Sequence, residues 1–246
     1  MASHCAFCDR RGIKMSREHV VPKWLSITGA ADGGGQYIIA REGREIRTPM
    51  IEVVTRRVCE NCNTGWLSRI ESGAAPVLKG LLDASSKTIS EVERWIVARW
   101  FTKTILTAQL ALTARSDTGI LHPQDYRTFF DHAQPFNNQF TMIAGYQGPL
   151  PPILFEVYSP DETTNRGVRV LFHFQRVVIL AFFMNTDEPA SLHLPHRFDE
   201  ASHIIWPMQR GLLRSDDPTL PLSWPPPFVV EGDTIERLRR LILPTS

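Results

Sequence analysis

Cys5-Ala6-Phe7-Cys8 and, far along the chain, Val58-Cys59-Glu60-Asn61-Cys62-Asn63 decide how the first third of this sequence is read, with Ser16-Arg17-Glu18-His19-Val20-Val21-Pro22 between them. The two C-x2-C pairs use all 4 cysteines of the 246-residue chain. A tight C-x2-C turn aims two sulfurs at one point, and two such turns supply the thiolates of a tetrahedral zinc site. Buried unpaired thiols, packing as small hydrophobes, are a weaker alternative. Two disulfides would suit an exported protein, but Met1-Ala2-Ser3-His4 leads into no apolar export segment. A closed structural zinc site on Cys5, Cys8, Cys59 and Cys62 is therefore the expectation.

Working outward from the knuckles, Gly33-Gly34-Gly35 marks a loop, and Gln36 to Ala40 and Ile51 to Val58 have strand composition. After Cys62 the spacing of Trp66, Leu67 and Ile70 is helical, with Asn63 or Thr64 available as a cap. From Thr88 to Arg115 the positions of Val92, Trp95, Ile96, Trp100, Ile105, Leu106 and Leu110 predict one long, largely buried helix over 88–114. A second helix is expected over Pro123 to His132. Strands are expected at Gln139–Tyr146, Ile153–Tyr158, Val168–Phe174 and Arg176–Asn185, forming an antiparallel sheet on the long helix. Pro207 to Pro227 reads as irregular and Thr234 to Leu243 as a closing helix. The fold class is thus α+β: a zinc-stapled ββα unit over 1–84, then an α+β domain over 85–246.

Charge is unevenly spread. Residues 1–80 hold 12 Lys and Arg against 8 Asp and Glu, while the whole chain has a net charge of only +1. A polyanion would prefer the N-terminal part, through Arg10, Arg11, Lys14 and Lys23, with Arg56 and Arg57 as further phosphate contacts. No apolar run reaches the roughly 20 residues needed to cross a bilayer, so a soluble, cytoplasmic protein is expected. His193, His196 and His203 lie near Asp199 and Glu200, but Pro195 interrupts them and no helical spacing supports a second metal site.

Glu18 and His19 sit side by side where the chain is held between the knuckles. Neighbours on a strand point to opposite sides, so they share one cavity only if the strand bends there, as Pro22 allows. Asn63 is fixed one residue from a cysteine. Each alone has an ordinary reading: a packed imidazole, an ion-paired carboxylate, a helix cap.

Together, the double knuckle, the Glu18-His19-x-x-Pro22 element and Cys62-Asn63 resemble the HNH endonucleases, the ββα-metal nucleases, in the subgroup with a four-cysteine zinc site. The resemblance covers about residues 5–72. It implies that His19 is a general base, Glu18 a ligand of a catalytic Mg²⁺ or Mn²⁺, and Asn63 the second protein ligand. The implied reaction is phosphodiester hydrolysis in nucleic acid, DNA before RNA, leaving 5′-phosphate and 3′-hydroxyl ends. A histidine with an ordinary pKa near 6.5 can take the proton of the attacking water, and a hard cation can neutralise the leaving alkoxide. The sequence departs from the family at Val54, where a bracing asparagine is common, and at Glu18, where aspartate is commoner. The rival expectations are a zinc-bound adaptor without activity and an RNA-directed nuclease. The C-terminal domain would bind target, a protein partner or a second copy.

Overall fold

The computed structural model describes residues 4–27, 36–41, 44–49, 53–83, 87–112, 121–147, 154–158, 167–184, 202–206, 222–226, 229–235 and 237. Strand β1 (Met15–His19) pairs antiparallel with a later strand, Val54–Cys59, and α1 (Lys23–Ile27) lies between them in sequence. Strands β2 (Gln36–Arg41) and β3 (Arg44–Pro49) form a hairpin, and Val54–Cys59 is β4. A helical stretch follows as α2 (Glu60–Cys62), a π-helical turn (Asn63–Leu67) and α3 (Ser68–Leu82). The wide turn is centred on Gly65, whose φ of −91° and ψ of −107° are not helical. Such a turn inserts extra chain into the ladder and re-aims the residues that open it, here Asn63.

The second half begins with β5 (Lys87–Ile89), α4 (Glu91–Leu112) and α5 (Pro123–His132). Strands β6 (Gln139–Gly145), β7 (Leu154–Tyr158), β8 (Gly167–Phe174), β9 (Val177–Met184), β10 (Ser202–Trp206) and β11 (Leu222–Trp224) follow. Seven strands make one sheet in the order β10-β6-β9-β8-β7-β2-β3. Every pairing in it is antiparallel except β2 with β7. The β2–β3 hairpin, lying between the two knuckles in sequence, thereby completes the sheet of the second half. Strand content at 36–40 was legible from composition; its partner was not, because period and propensity do not encode which edge a hairpin joins.

The α4 helix is buried almost continuously from Val97 to Leu110. Trp100 and Phe101 lie against Phe172 of β8, at ring-centroid distances of 6.1 and 5.9 Å. The threonines of this stretch each bond within the helix. Thr102, Thr104 and Thr107 return their hydroxyls to the carbonyls of Ala98, Trp100 and Lys103, four residues back. On the sheet, β6, β9 and the described side chains of β8 are buried, which fits strands covered on both faces. The predicted elements over 88–114, 123–132 and the four strands from 139 to 185 agree with the structure to within a few residues. Of the predicted closing helix over 234–243, only 234, 235 and 237 are described.

Candidate functional site

The four cysteines meet. Their sulfurs all lie within 4.8 Å of one another, with Cys5 to Cys62 and Cys8 to Cys59 each 3.8 Å apart. Sulfurs at about 2.3 Å from a tetrahedrally bound zinc stand roughly 3.8 Å apart, so this donor set fits the ion. Cys5, Cys59 and Cys62 are buried and Cys8 partly so. Backbone geometry supports the cluster: the Cys59 amide donates to the Cys5 sulfur and the Cys62 amide to the Cys59 sulfur, each at 3.4 Å. The hydrogen bond between the Cys5 and Cys62 sulfurs draws the Cys5 thiol down to about 4 and pushes Cys62 up in return. One sulfur of the group is thus already disposed to be a thiolate. The Trp66 side chain beside the cluster acts against the rise at Cys62.

An aromatic cluster anchors the knuckles to the second half. Trp66 lies 5.3 Å from Phe7, 5.6 Å from Phe129 and 5.6 Å from Phe130, and Phe7 lies 5.6 Å from Tyr126. Arg127 on α5 donates to the Cys8 carbonyl at 3.4 Å. Trp66 packs into the core through its ring, and Trp24 is half-buried with Lys79 over its face at 5.7 Å.

Glu18 and His19 part company, as period two on β1 requires. Glu18 faces inward and is only 4 % exposed. Its carboxylate contacts the ammonium of Lys103, a residue of α4 with a fully buried side chain. The same ammonium lies 2.6 Å from Glu71 Oε1 and 3.3 Å from the His19 carbonyl. Burial pushes the Glu18 carboxyl up, against the attraction of Lys103. At Lys103 burial acts downward, but the two carboxylates overcome it and hold the amine above its ordinary value. The sequence placed Glu18 in a cavity with His19; in the structure it is turned away from that side and engaged by Lys103. Neither Lys103 nor Glu71 was singled out from sequence. A lysine in the middle of an apolar-periodic helix was the available signal, since a buried ammonium demands carboxylates.

His19 is partly exposed, on the same face of β1 as Arg17. Burial lowers its pKa, with help from Lys23 and Arg17. Asn63 donates from Nδ2 to Ser16 Oγ at 3.0 Å and to the Arg17 carbonyl at 3.4 Å, while Ser16 Oγ donates to the Val58 carbonyl at 3.0 Å. Its Oδ1 has no partner among the described residues. Asn63 therefore ties the helical stretch to β1, leaving one oxygen open. Beside Val54, Thr55 Oγ1 accepts from the Arg57 amide at 3.2 Å, a bond within β4.

The basic residues named from sequence divide. Lys14 is engaged by Glu60 at 2.9 Å. Arg10, Arg11, Lys23, Arg56 and Arg57 are exposed and without an acidic partner among the described residues. His203 bonds the Ser223 carbonyl through Nε2 at 2.9 Å; His193 and His196 lie outside the described residues.

Among the described residues no helix is long and apolar enough to cross a membrane. Comparison with protein-family models, with curated proteins and with solved structures finds no match to this chain.

Proposed function

We propose that the chain is an endonuclease of the HNH kind that hydrolyses phosphodiester bonds of nucleic acid, DNA before RNA, with His19 as general base. The observation that carries this reading is the setting of His19: an accessible imidazole beside the four-sulfur cluster's hairpin, flanked by the cationic Arg17 and Lys23. Its lowered pKa keeps the ring neutral near pH 7, the form that can accept a proton from water. Arg17 and Lys23 supply positive charge for the phosphate oxygens.

The catalytic Mg²⁺ or Mn²⁺ implied by the resemblance fits only in part. Asn63 Oδ1 is open, but the Glu18 carboxylate is held by Lys103 and faces inward, so a cation there would have to displace a buried ammonium. No step is assigned to that cation.

That same ion pair favours a second reading, a zinc-stabilised module that holds nucleic acid or a protein without cutting. Incubating the protein with supercoiled plasmid, and separately with single-stranded RNA, with and without Mg²⁺ or Mn²⁺, distinguishes them. Nicking that vanishes in His19→Ala, with zinc content and circular dichroism unchanged, is the expected result. No cleavage of either nucleic acid under any condition leaves the module.

A further inference from the structure

The β1–β4 ladder contains one irregularity. Ser16 stands opposite Val58 and Glu18 opposite Thr55, so the single residue Arg17 faces two, Arg56 and Arg57. This is a β-bulge on β4, and it breaks the inward–outward alternation of that strand: both bulged residues are exposed, between buried Thr55 and Val58. Arg17, on the opposing strand, is exposed as well. Three guanidinium groups are thus collected on one face of a two-stranded ribbon, which is destabilising between cross-strand neighbours of like charge.

Among the described residues no acid pairs with them. Glu18 is inside on Lys103, Glu60 is bound by Lys14 and Glu71 by Lys103. None of the three arginines has an ion-pair partner among the described residues. The backbone beneath them is nevertheless held firmly. Asn63 bonds Ser16 and the Arg17 carbonyl, Ser16 bonds Val58, and Thr55 bonds the Arg57 amide. A fold that fixes like charges together on a stiff base, with no counter-ion among the described residues, calls for an external anion of matching spacing.

We propose that Arg17, Arg56 and Arg57 form a phosphate-binding ridge for a nucleic-acid backbone, leading along the outer face of β1 to His19. Arg17 and His19 are two residues apart on one strand and so lie on one face. A strand of phosphates seated on the ridge would run past the imidazole. The ridge deepens the endonuclease reading by adding Arg17 and a direction of approach, but its own existence does not depend on hydrolysis.

The experiment measures binding apart from cleavage. Full-length protein carrying His19→Ala is titrated, without added Mg²⁺, against a short fluorescein-labelled DNA duplex over a range of KCl concentrations. Each phosphate contact contributes about 0.9 to the slope of log Kobs against log salt. The expected result is that Arg17→Ala, Arg56→Ala and Arg57→Ala each flatten the slope by about 0.9 and the triple variant by about 2.7. Changing all three to lysine should restore the slope, because charge and not guanidinium shape makes these contacts. Lys87→Ala, which removes a cation already paired with Glu93, should leave the slope unchanged.

A triple alanine variant that is folded and zinc-loaded but keeps the parental slope overturns the ridge. So does a lysine variant that fails to restore it, or anionic phospholipid vesicles that bind as tightly as duplex with the same dependence on the three arginines. If the slope falls as expected while the parent never cuts plasmid or RNA, the ridge stands and the hydrolysis reading falls. If the parent cuts and the slope does not move, hydrolysis stands and the ridge falls.

Discussion

The knuckle region and the seven-stranded sheet solve the burial problem in opposite ways. In the sheet, β6 and β9 bury all their described side chains, largely apolar, and the core they share with α4 is built from Trp100, Phe101, Phe172 and Phe174. Its stability is spread over many side chains, each truncation costing about 2–5 kcal/mol. In the knuckle region, four sulfurs stand at the centre, and Lys103 of α4 reaches in between the carboxylates of Glu18 and Glu71. There stability is concentrated in few groups that fail together. The difference explains why the knuckle region can present a half-exposed histidine and a ridge of like charges: the hairpin does not rely on its outer face to stay folded.

Metal removal should divide the two regions most sharply. Stripping zinc from a four-thiolate site forfeits on the order of 10 kcal/mol of folding free energy. Hydrogen exchange after chelation, or in Cys62→Ser, should show residues 5–19 and 54–67 losing protection while β6, β8 and β9 retain theirs. Uniform loss across both regions would mean that the comparison above is mistaken and the molecule is one cooperative unit.

The next largest effect is expected at Lys103. Lys103→Met leaves Glu18 buried without its counter-ion, a change that typically costs about 3–5 kcal/mol. Adding Glu18→Met should recover most of the loss, because an apolar pair of similar volume replaces a desolvated one. Urea denaturation of the two single variants and the double variant gives the coupling energy directly. A Lys103→Met protein as stable as the parent would show that the trio carries no weight in the folded state.

On the sheet side, the corresponding weak point is His173, which is 1 % exposed, bonded through Nε2 to the Gln175 carbonyl at 3.2 Å, with its ring against Tyr146. Burial lowers its pKa to about 4 from an ordinary 6.5. The unfolded chain takes up a proton below 6.5 and the folded protein only below about 4. Stability from this residue is therefore complete above 6.5 and is lost as pH falls toward 4, by about 3 kcal/mol in all. His173→Phe, which keeps a ring against Tyr146, should flatten that part of the stability profile. A profile identical to the parent's between these values would locate the acid sensitivity elsewhere.

Much of this arrangement was written locally. The cysteine spacing announced the four-sulfur cluster, apolar periodicity announced α4 and α5, and runs of β-branched and aromatic residues announced β6 to β9. What escaped were long-range pairings. Nothing in residues 36–49 says that they join β7 in parallel, and β4 was readable as a strand without revealing β1 as its partner. The bulge that gathers Arg17 with Arg56 and Arg57 depends on that register and so was invisible too. Glu18 was read as facing a cavity because the residue that claims it, Lys103, lies 85 positions away on another element.

Asn63 offers the finest discrimination, because the helical stretch uses its amide in two ways that a substitution can separate. Its Nδ2 holds Ser16 and the Arg17 carbonyl, and its Oδ1 has no partner among the described residues. Asn63→Ala removes both and should cost about 1–2 kcal/mol, the usual worth of a pair of such hydrogen bonds. Asn63→Asp keeps an oxygen but loses the donor, and it sets a carboxylate against the Arg17 carbonyl. If Asn63 serves only to pin the hairpin, Asp should be at least as destabilising as Ala and the ridge's salt dependence should change with both. If the open oxygen also holds a divalent cation, Asp should tighten Mn²⁺ binding measured by calorimetry while Ala abolishes it. Heat of binding that is absent in the parent and both variants would assign Asn63 to the hairpin alone, and with it the stiffness on which the arginine ridge depends.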